Sequence, residues 1–156
     1  MTLEHKIDIC LRFIAAQKNE TDGTSALVLE AAEALSGWKP YVRTSAIEDM
    51  LKDLGVSGAN LGWGYLKTAI ELCMEDDQRL HNITRSLYPA IAEAHGTTPA
   101  RVERSIRHAL DSAFLVGDVE AQFRIFGNTI AMRGRPTNSG FIAGCVHELQ
   151  RREGGH

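Results

Sequence analysis

Basic side chains recur at helical spacing in the second half of the chain: Arg101, Arg104, Arg107 and His108. At 100° per residue they gather on one face of a helix, with Glu103 at its border. A guanidinium group can hold guanine or phosphate through two hydrogen bonds, and a carboxylate can accept one from cytosine. The pattern is therefore typical of a helix that binds nucleic acid. A solvated helix face, with Glu103 and Arg107 as an i,i+4 ion pair, is the alternative.

The residues around this cluster carry the signals of a helix and of the turn before it. Thr98 and Pro99 suit an N-cap and a first helical turn, and Gly117 is expected to end the helix in the left-handed conformation. The face opposite the basic one is apolar: Val102, Ile106, Ala109, Leu110, Ala113 and Phe114. A short helix over Pro89–His95, closed by Gly96, comes just before. Together they predict a helix-turn-helix, with an ordinary helical hairpin as the alternative.

The rest of the chain predicts further helices, so the expected fold is an all-α bundle that contains the helix-turn-helix. The predicted helices are 3–17, Ser25–Leu35, Ser45–Leu54, Tyr65–Met74 and Asp118–Phe126, and a last one that begins from a cap at Thr137, Asn138 or Ser139. A capping box is expected to open the helix at Ser45. A loop at Gly127 and Asn128 is expected to follow the helix that ends at Phe126. The sequence contains no useful run of β-type alternation and no internal repeat.

Composition excludes several classes of protein. At 44% hydrophobic and 24% charged residues the chain is an ordinary globular sequence, without an apolar run that approaches the roughly 20 residues of a membrane span. The N-terminus has no signal-peptide pattern, so we expect a cytoplasmic protein. Three widely spaced cysteines and six unpaired histidines predict neither a metal site nor a cofactor. No catalytic motif is present, and we expect no enzyme activity.

The net charge of −3 hides an uneven distribution. Residues 1–80 carry 13 acidic and 8 basic side chains, whereas residues 81–156 carry 7 acidic and 9 basic ones, all of them arginines. Because arginine suits bidentate contacts with bases and phosphates, this asymmetry favours nucleic-acid binding by the C-terminal part alone.

Two stretches identify a family by resemblance. VERSIRHAL (Val102–Leu110) and GRPTNSGFIA (Gly134–Ala143) resemble signature stretches in the C-terminal DNA-binding domain of the sporulation master response regulator. The similarity continues through LGVSGANLGWGYLKTAIEL and SLYPAIAEAHGTTPAR and covers Ala46–Leu149. It implies a sequence-specific transcriptional regulator that reads the major groove of double-stranded DNA with helix 98–116. The DNA-binding domain is then expected over 46–152, after a helical extension over 1–45.

The resemblance also implies site residues. Arg101, Glu103 and Arg104 are expected to contact base edges, and Arg107 and His108 to contact phosphates. A second phosphate site is expected at Arg135 and the helix start Thr137, Asn138 and Ser139, because free N–H groups beside a cation attract anions. Gly140 stands where the family usually has an acidic residue.

The chain departs from the family pattern before Ala46 and after Gly117. Residues 1–45 do not resemble the receiver domain that usually precedes this domain. Their apolar helix faces predict a homodimer. Covering the domain's own surface and binding a partner are the alternatives. Asp118–Phe126 matches the transcription-activating region, which implies the RNA polymerase σ subunit as a partner, but its surroundings are more apolar and basic than the family's. The alternative function is a non-enzymatic interaction protein of the same fold that binds or antagonises another regulator.

Overall fold

The computed structural model of the chain describes residues 2, 5, 7–10, 12 and 43–154. Two compact units divide the chain, Met1–Arg43 and Thr44–His156. In the first unit, the described residues 5, 7–10 and 12 are helical, within the helix predicted for 3–17. The helix predicted at Ser25–Leu35 lies outside the described residues.

The second unit is all-α, as predicted, and its described residues contain no strand. From residue 43 onward the α-helices are α1 (residues 43–53), α2 (Leu61–Glu75), α3 (Tyr88–His95), α4 (Pro99–Val116), α5 (Val119–Arg133) and α6 (Asn138–Glu153). A 3-10 helix (Asp77–His81) and a π-helical turn (Ile83–Leu87) join α2 to α3. The helix-turn-helix consists of α3 and α4.

Helix α4 lies at the centre of the core and contacts α2, α3 and α6. Val102, Ile106 and Leu110 of α4 have no exposed surface, and Ala109 and Ala113 are buried beside them. Full burial of an aliphatic side chain of this size contributes about 1.5–3 kcal/mol. The apolar face predicted from the sequence therefore anchors α4 in the bundle.

The crossing of α2 and α4 depends on a glycine. A Cβ atom on Gly62 would lie 2.5 Å from the Cβ of Ala109 and 2.6 Å from the carbonyl oxygen of Ser105. The absence of a side chain at Gly62 therefore lets the two helices approach closely. Helix α2 begins at Leu61, four residues before the predicted start at Tyr65.

The end of α4 corrects the prediction for Gly117. This residue has φ −73° and ψ 171°, an extended conformation rather than the left-handed one. A Cβ there would lie 2.6 Å from the Leu54 carbonyl oxygen and would collide with the Gln122 amide. The amide of the buried Gln122 donates to the carbonyl oxygens of Leu54 and Ala113, each at 2.9 Å. Glycine is needed at this position because the chain packs closely there.

Helix α5 begins as predicted but ends later. The Asp118 carboxylate caps it by accepting from the backbone N–H groups of Glu120 and Ala121. The helix kinks at Phe126, with φ −118° and ψ 16°, and continues to Arg133, so the loop predicted at Gly127 and Asn128 is wrong. The Phe126 ring is buried and stacks on Phe141 of α6, with centroids 5.2 Å apart. This stacking provides a tertiary reason for a kink where the sequence predicted a helix end.

The capping box predicted at Ser45–Glu48 is also wrong, because residues 43 and 44 are already helical. Glu48 instead accepts from Lys67 of α2 at 2.7 Å. This hydrogen bond raises the pKa of the Lys67 ammonium group and ties α1 to α2.

No helix in the described part of the chain combines the length and the apolar character that crossing a membrane requires.

We predict that Gly62→Ala lowers the free energy of unfolding by about 1–3 kcal/mol, because the added methyl group overpacks the contact between α2 and α4. Urea denaturation followed by circular dichroism measures the change. Gly58→Ala is the matched control, since a Cβ at Gly58 meets no atom within 4 Å. Equal stabilities for the two variants would contradict a close crossing at Gly62.

Candidate nucleic-acid interface

The turn between α3 and α4 has the predicted geometry. Gly96 adopts the left-handed conformation, with φ 63°, and the Thr97 N–H donates to the Ala92 carbonyl oxygen at 2.9 Å. The Thr98 hydroxyl accepts from the Arg101 N–H at 3.3 Å and caps α4, with Pro99 in the first turn. These local bonds fix the direction in which α4 leaves the turn.

The outer face of α4 carries the predicted basic cluster. Arg101, Arg104, Arg107 and His108 are all exposed, and Glu103 is partly buried beside them. The Arg107 Nη1 atom lies 3.7 Å from the Glu103 Oε1 atom, so the i,i+4 ion pair that the sequence offered as an alternative is present. An exposed pair at this distance contributes little free energy, and both groups remain available to a ligand.

A groove of about 320 Å³ runs beside this cluster. It lies between the π-helical turn before α3 and the first turns of α4, and it is lined by Thr84, Tyr88, Pro99, Ala100, Glu103, Arg104 and Arg107. The groove brings Thr84, which the sequence did not single out, next to two of the predicted base-contacting residues.

The second predicted site lies at the start of α6. Thr137 is the N-cap of that helix, and its hydroxyl accepts from the Gly140 N–H at 3.1 Å. Ser139 is exposed in the first turn. The Arg135 guanidinium lies 2.8 Å (Nε) from the Asp111 Oδ1 atom of α4 and donates through Nη1 to the Pro136 carbonyl oxygen at 2.8 Å. Arg135 therefore connects the second site to α4.

Asn138 has a different place from the one expected of a phosphate-contacting side chain. It is buried, and its amide donates to the Tyr88 hydroxyl at 3.2 Å and to the Glu103 carbonyl oxygen at 3.1 Å. Burial raises the pKa of Tyr88, so this hydroxyl stays protonated at neutral pH. The amide joins α3, α4 and α6 beneath the basic cluster. A ligand at this helix start would meet the backbone N–H of Asn138 rather than its side chain.

Sequence reasoning missed the roles of Asn138 and Asp111. The sequence predicts Asn138 only as a cap or phosphate ligand, because nothing local to the sequence shows that its amide reaches α3 and α4. A signal did exist for Asp111, since it follows Arg104 by seven residues and therefore lies on the same face of α4. The residue it pairs with, Arg135, comes from a separate loop and follows only from the fold.

Other groups offer little chemistry. Cys73 and Cys145 are fully buried, and desolvation raises the pKa of the Cys73 thiol to about 11 and raises that of Cys145 as well. Both thiols are therefore protonated and unreactive at neutral pH. Among the described residues, no three histidine, cysteine or acidic side chains are placed to hold a metal ion together.

Comparison with known protein families gives a match that includes both parts of the candidate interface, α4 and the start of α6. The family model described as Sporulation initiation factor Spo0A C terminal matches residues 47–149, from the middle of α1 to the last turns of α6. The resemblance seen in the sequence over Ala46–Leu149 is thereby confirmed.

We predict that Asn138→Ala lowers the free energy of unfolding by about 1–3 kcal/mol, because it leaves the buried Tyr88 hydroxyl and Glu103 carbonyl without their donor. Thermal or urea unfolding measures the loss. Ser139→Ala, one residue along at an exposed position, should change stability by less than about 0.5 kcal/mol. Indistinguishable stabilities would show that the amide junction contributes nothing to the fold.

Proposed function

We propose that this chain is a transcriptional regulator that binds DNA sequence-specifically through α4. The chain belongs to the family of Spo0A C-terminal domains, which are DNA-binding domains of sporulation regulators. One observation carries the proposal. The second helix of a helix-turn-helix is anchored by a fully buried apolar face and exposes three arginines and a histidine on the other side. This is the arrangement that places a recognition helix in the major groove.

The proposed base contacts lie in the first turns of α4. The major groove is about 12 Å wide and accepts a helix whose N-terminal residues face the base edges. Arg101 and Arg104 would each hold a guanine through O6 and N7, and Glu103 would accept from a cytosine N4 amino group. The adjoining groove offers room beside Glu103 and Arg104 for a base edge or its methyl group.

Phosphate contacts would hold this helix in register. Arg107 and His108 are exposed on α4, about one helical turn beyond Arg104. Arg107 would exchange its loose pair with Glu103, at 3.7 Å, for a phosphate. Such an exchange frees the Glu103 carboxylate for a base without leaving either charge unpaired.

A second phosphate anchor is proposed at the start of α6. The first-turn N–H groups of Asn138 and Ser139 have no carbonyl partner within the helix and carry the positive end of its dipole. The Thr137 hydroxyl keeps its proton for a further hydrogen bond, since it acts toward Gly140 as an acceptor. With the Arg135 guanidinium nearby, these groups suit one backbone phosphate.

A separate surface favours a protein partner as well as DNA. The end of α4 and the start of α5 expose four large apolar side chains: Leu115, Val116, Val119 and Phe123. These four exposed side chains lie within nine residues of the chain, and we propose that they form an apolar patch of the kind that marks an interaction site. The patch overlaps the stretch that resembles the family's activating region, so we propose a contact with the RNA polymerase σ subunit there. Gln122 takes no part in it, because its side chain is buried.

We predict that Arg104→Ala weakens binding to the preferred site, the DNA sequence that the protein selects from random duplexes, by about 1–3 kcal/mol. It should also relax the base choice at one position, because one bidentate guanine contact is lost. Arg101→Ala should relax a different position. Fluorescence anisotropy against every single-base variant of the site measures both effects. An equal loss on all sequences would reduce these arginines to phosphate contacts and contradict base readout.

We predict that Arg135→Ala weakens binding to all sequences alike and lowers the slope of log K against log salt by about one unit, because one phosphate-bound cation is removed. Titrations at several salt concentrations give the slope. Arg152→Ala is the charge-matched control, since 14 helical residues place it roughly 21 Å from Asn138 along α6. The same slope for the wild type and Arg135→Ala would place this loop away from DNA.

A further inference from the structure

The two parts of the proposed DNA-binding surface are joined by one ion pair. The Nε atom of Arg135, in the loop before α6, lies 2.8 Å from the Oδ1 atom of Asp111 on α4. The Arg135 Nη1 atom donates to the Pro136 carbonyl oxygen at 2.8 Å, so one group of the guanidinium bonds within the loop while another pairs with Asp111. Its side chain keeps about a quarter of its surface exposed, whereas that of Asp111 keeps 56%.

Asp111 shares a face with the residues proposed to read DNA. It follows Arg104 by seven residues, and two helical turns return it to the same side of α4, roughly 10 Å along the axis. A phosphate that binds Arg135 would therefore meet a carboxylate that already holds the same guanidinium. Two anions cannot both pair closely with one cation without repelling each other.

We propose that Asp111 is an internal competitor for the DNA phosphate at Arg135 and thereby lowers the affinity of the protein for DNA. In the free protein the carboxylate holds the guanidinium within the loop. When DNA binds, the phosphate takes the Nε edge and the Asp111 side chain turns to solvent, which its exposure permits. Breaking the ion pair costs free energy, and this cost offsets part of the free energy gained from the phosphate contact. This inference rests on the proposed DNA binding.

A double-mutant cycle tests the competition directly. Wild type, Asp111→Asn, Arg135→Ala and the double variant are titrated into a labelled duplex of the preferred site and a scrambled duplex at about 0.1 M salt. We expect Asp111→Asn to bind both duplexes about two- to fivefold more tightly, the range that an exposed ion pair contributes. In the Arg135→Ala background the same substitution should change the dissociation constant by much less, because the cation for which Asp111 competes is gone.

Asp49→Asn provides the control for a general charge effect. Asp49 is an exposed residue of α1, and its substitution removes the same charge from the chain. If Asp111 competes for Arg135, Asp111→Asn must raise the affinity for DNA more than Asp49→Asn does, and only where Arg135 is present. An equal gain in both backgrounds, a gain no larger than the control's, or weaker binding would each overturn the competition while leaving DNA binding intact. A wild-type protein that binds neither duplex would overturn the proposed function and this inference together.

Discussion

The burial of one face of α4 is the constraint on which the rest of the structure depends. Val102, Ile106 and Leu110 have no exposed surface, and they contact the helices that surround them. A helix held along one side by packed aliphatic side chains cannot rotate without opening cavities in a close-packed core. The charged residues on its other side are therefore presented in a fixed direction, although their own side chains remain solvated.

The charges around α4 limit affinity as well as provide it. Two acidic residues of α4 pair with arginines. Glu103 pairs with Arg107 of the same helix, and Asp111 pairs with Arg135 of the loop before α6. Each pair lies partly in solvent, where it contributes little to stability and is screened by salt. In the proposed complex the pairs matter more for binding, because DNA phosphates would replace the carboxylates. A domain built in this way is expected to bind DNA with a strong dependence on ionic strength.

Local signals predicted α4 and the turn before it well. Thr98 and Gly96 act as the cap and the left-handed turn that their types predict, since cap and turn chemistry depend on neighbouring residues. Contacts between segments that are distant in the sequence determine the features that local signals did not predict. Gly117 is needed for close packing rather than for a positive φ, α5 continues through its kink at Phe126, and the Asn138 amide reaches two other helices. None of these contacts has a periodic or spaced pattern in the sequence.

The central claim, that this domain reads DNA sequence through α4, is tested most directly by selecting bound duplexes from a random pool with the purified full-length protein. The account predicts enrichment of a short motif with guanines at fixed positions, because Arg101 and Arg104 in the first turns of α4 are proposed to read them. Retained binding without any enriched sequence would restrict the surface to phosphate contact. A pool that the protein does not retain at low salt would contradict DNA binding by this chain altogether.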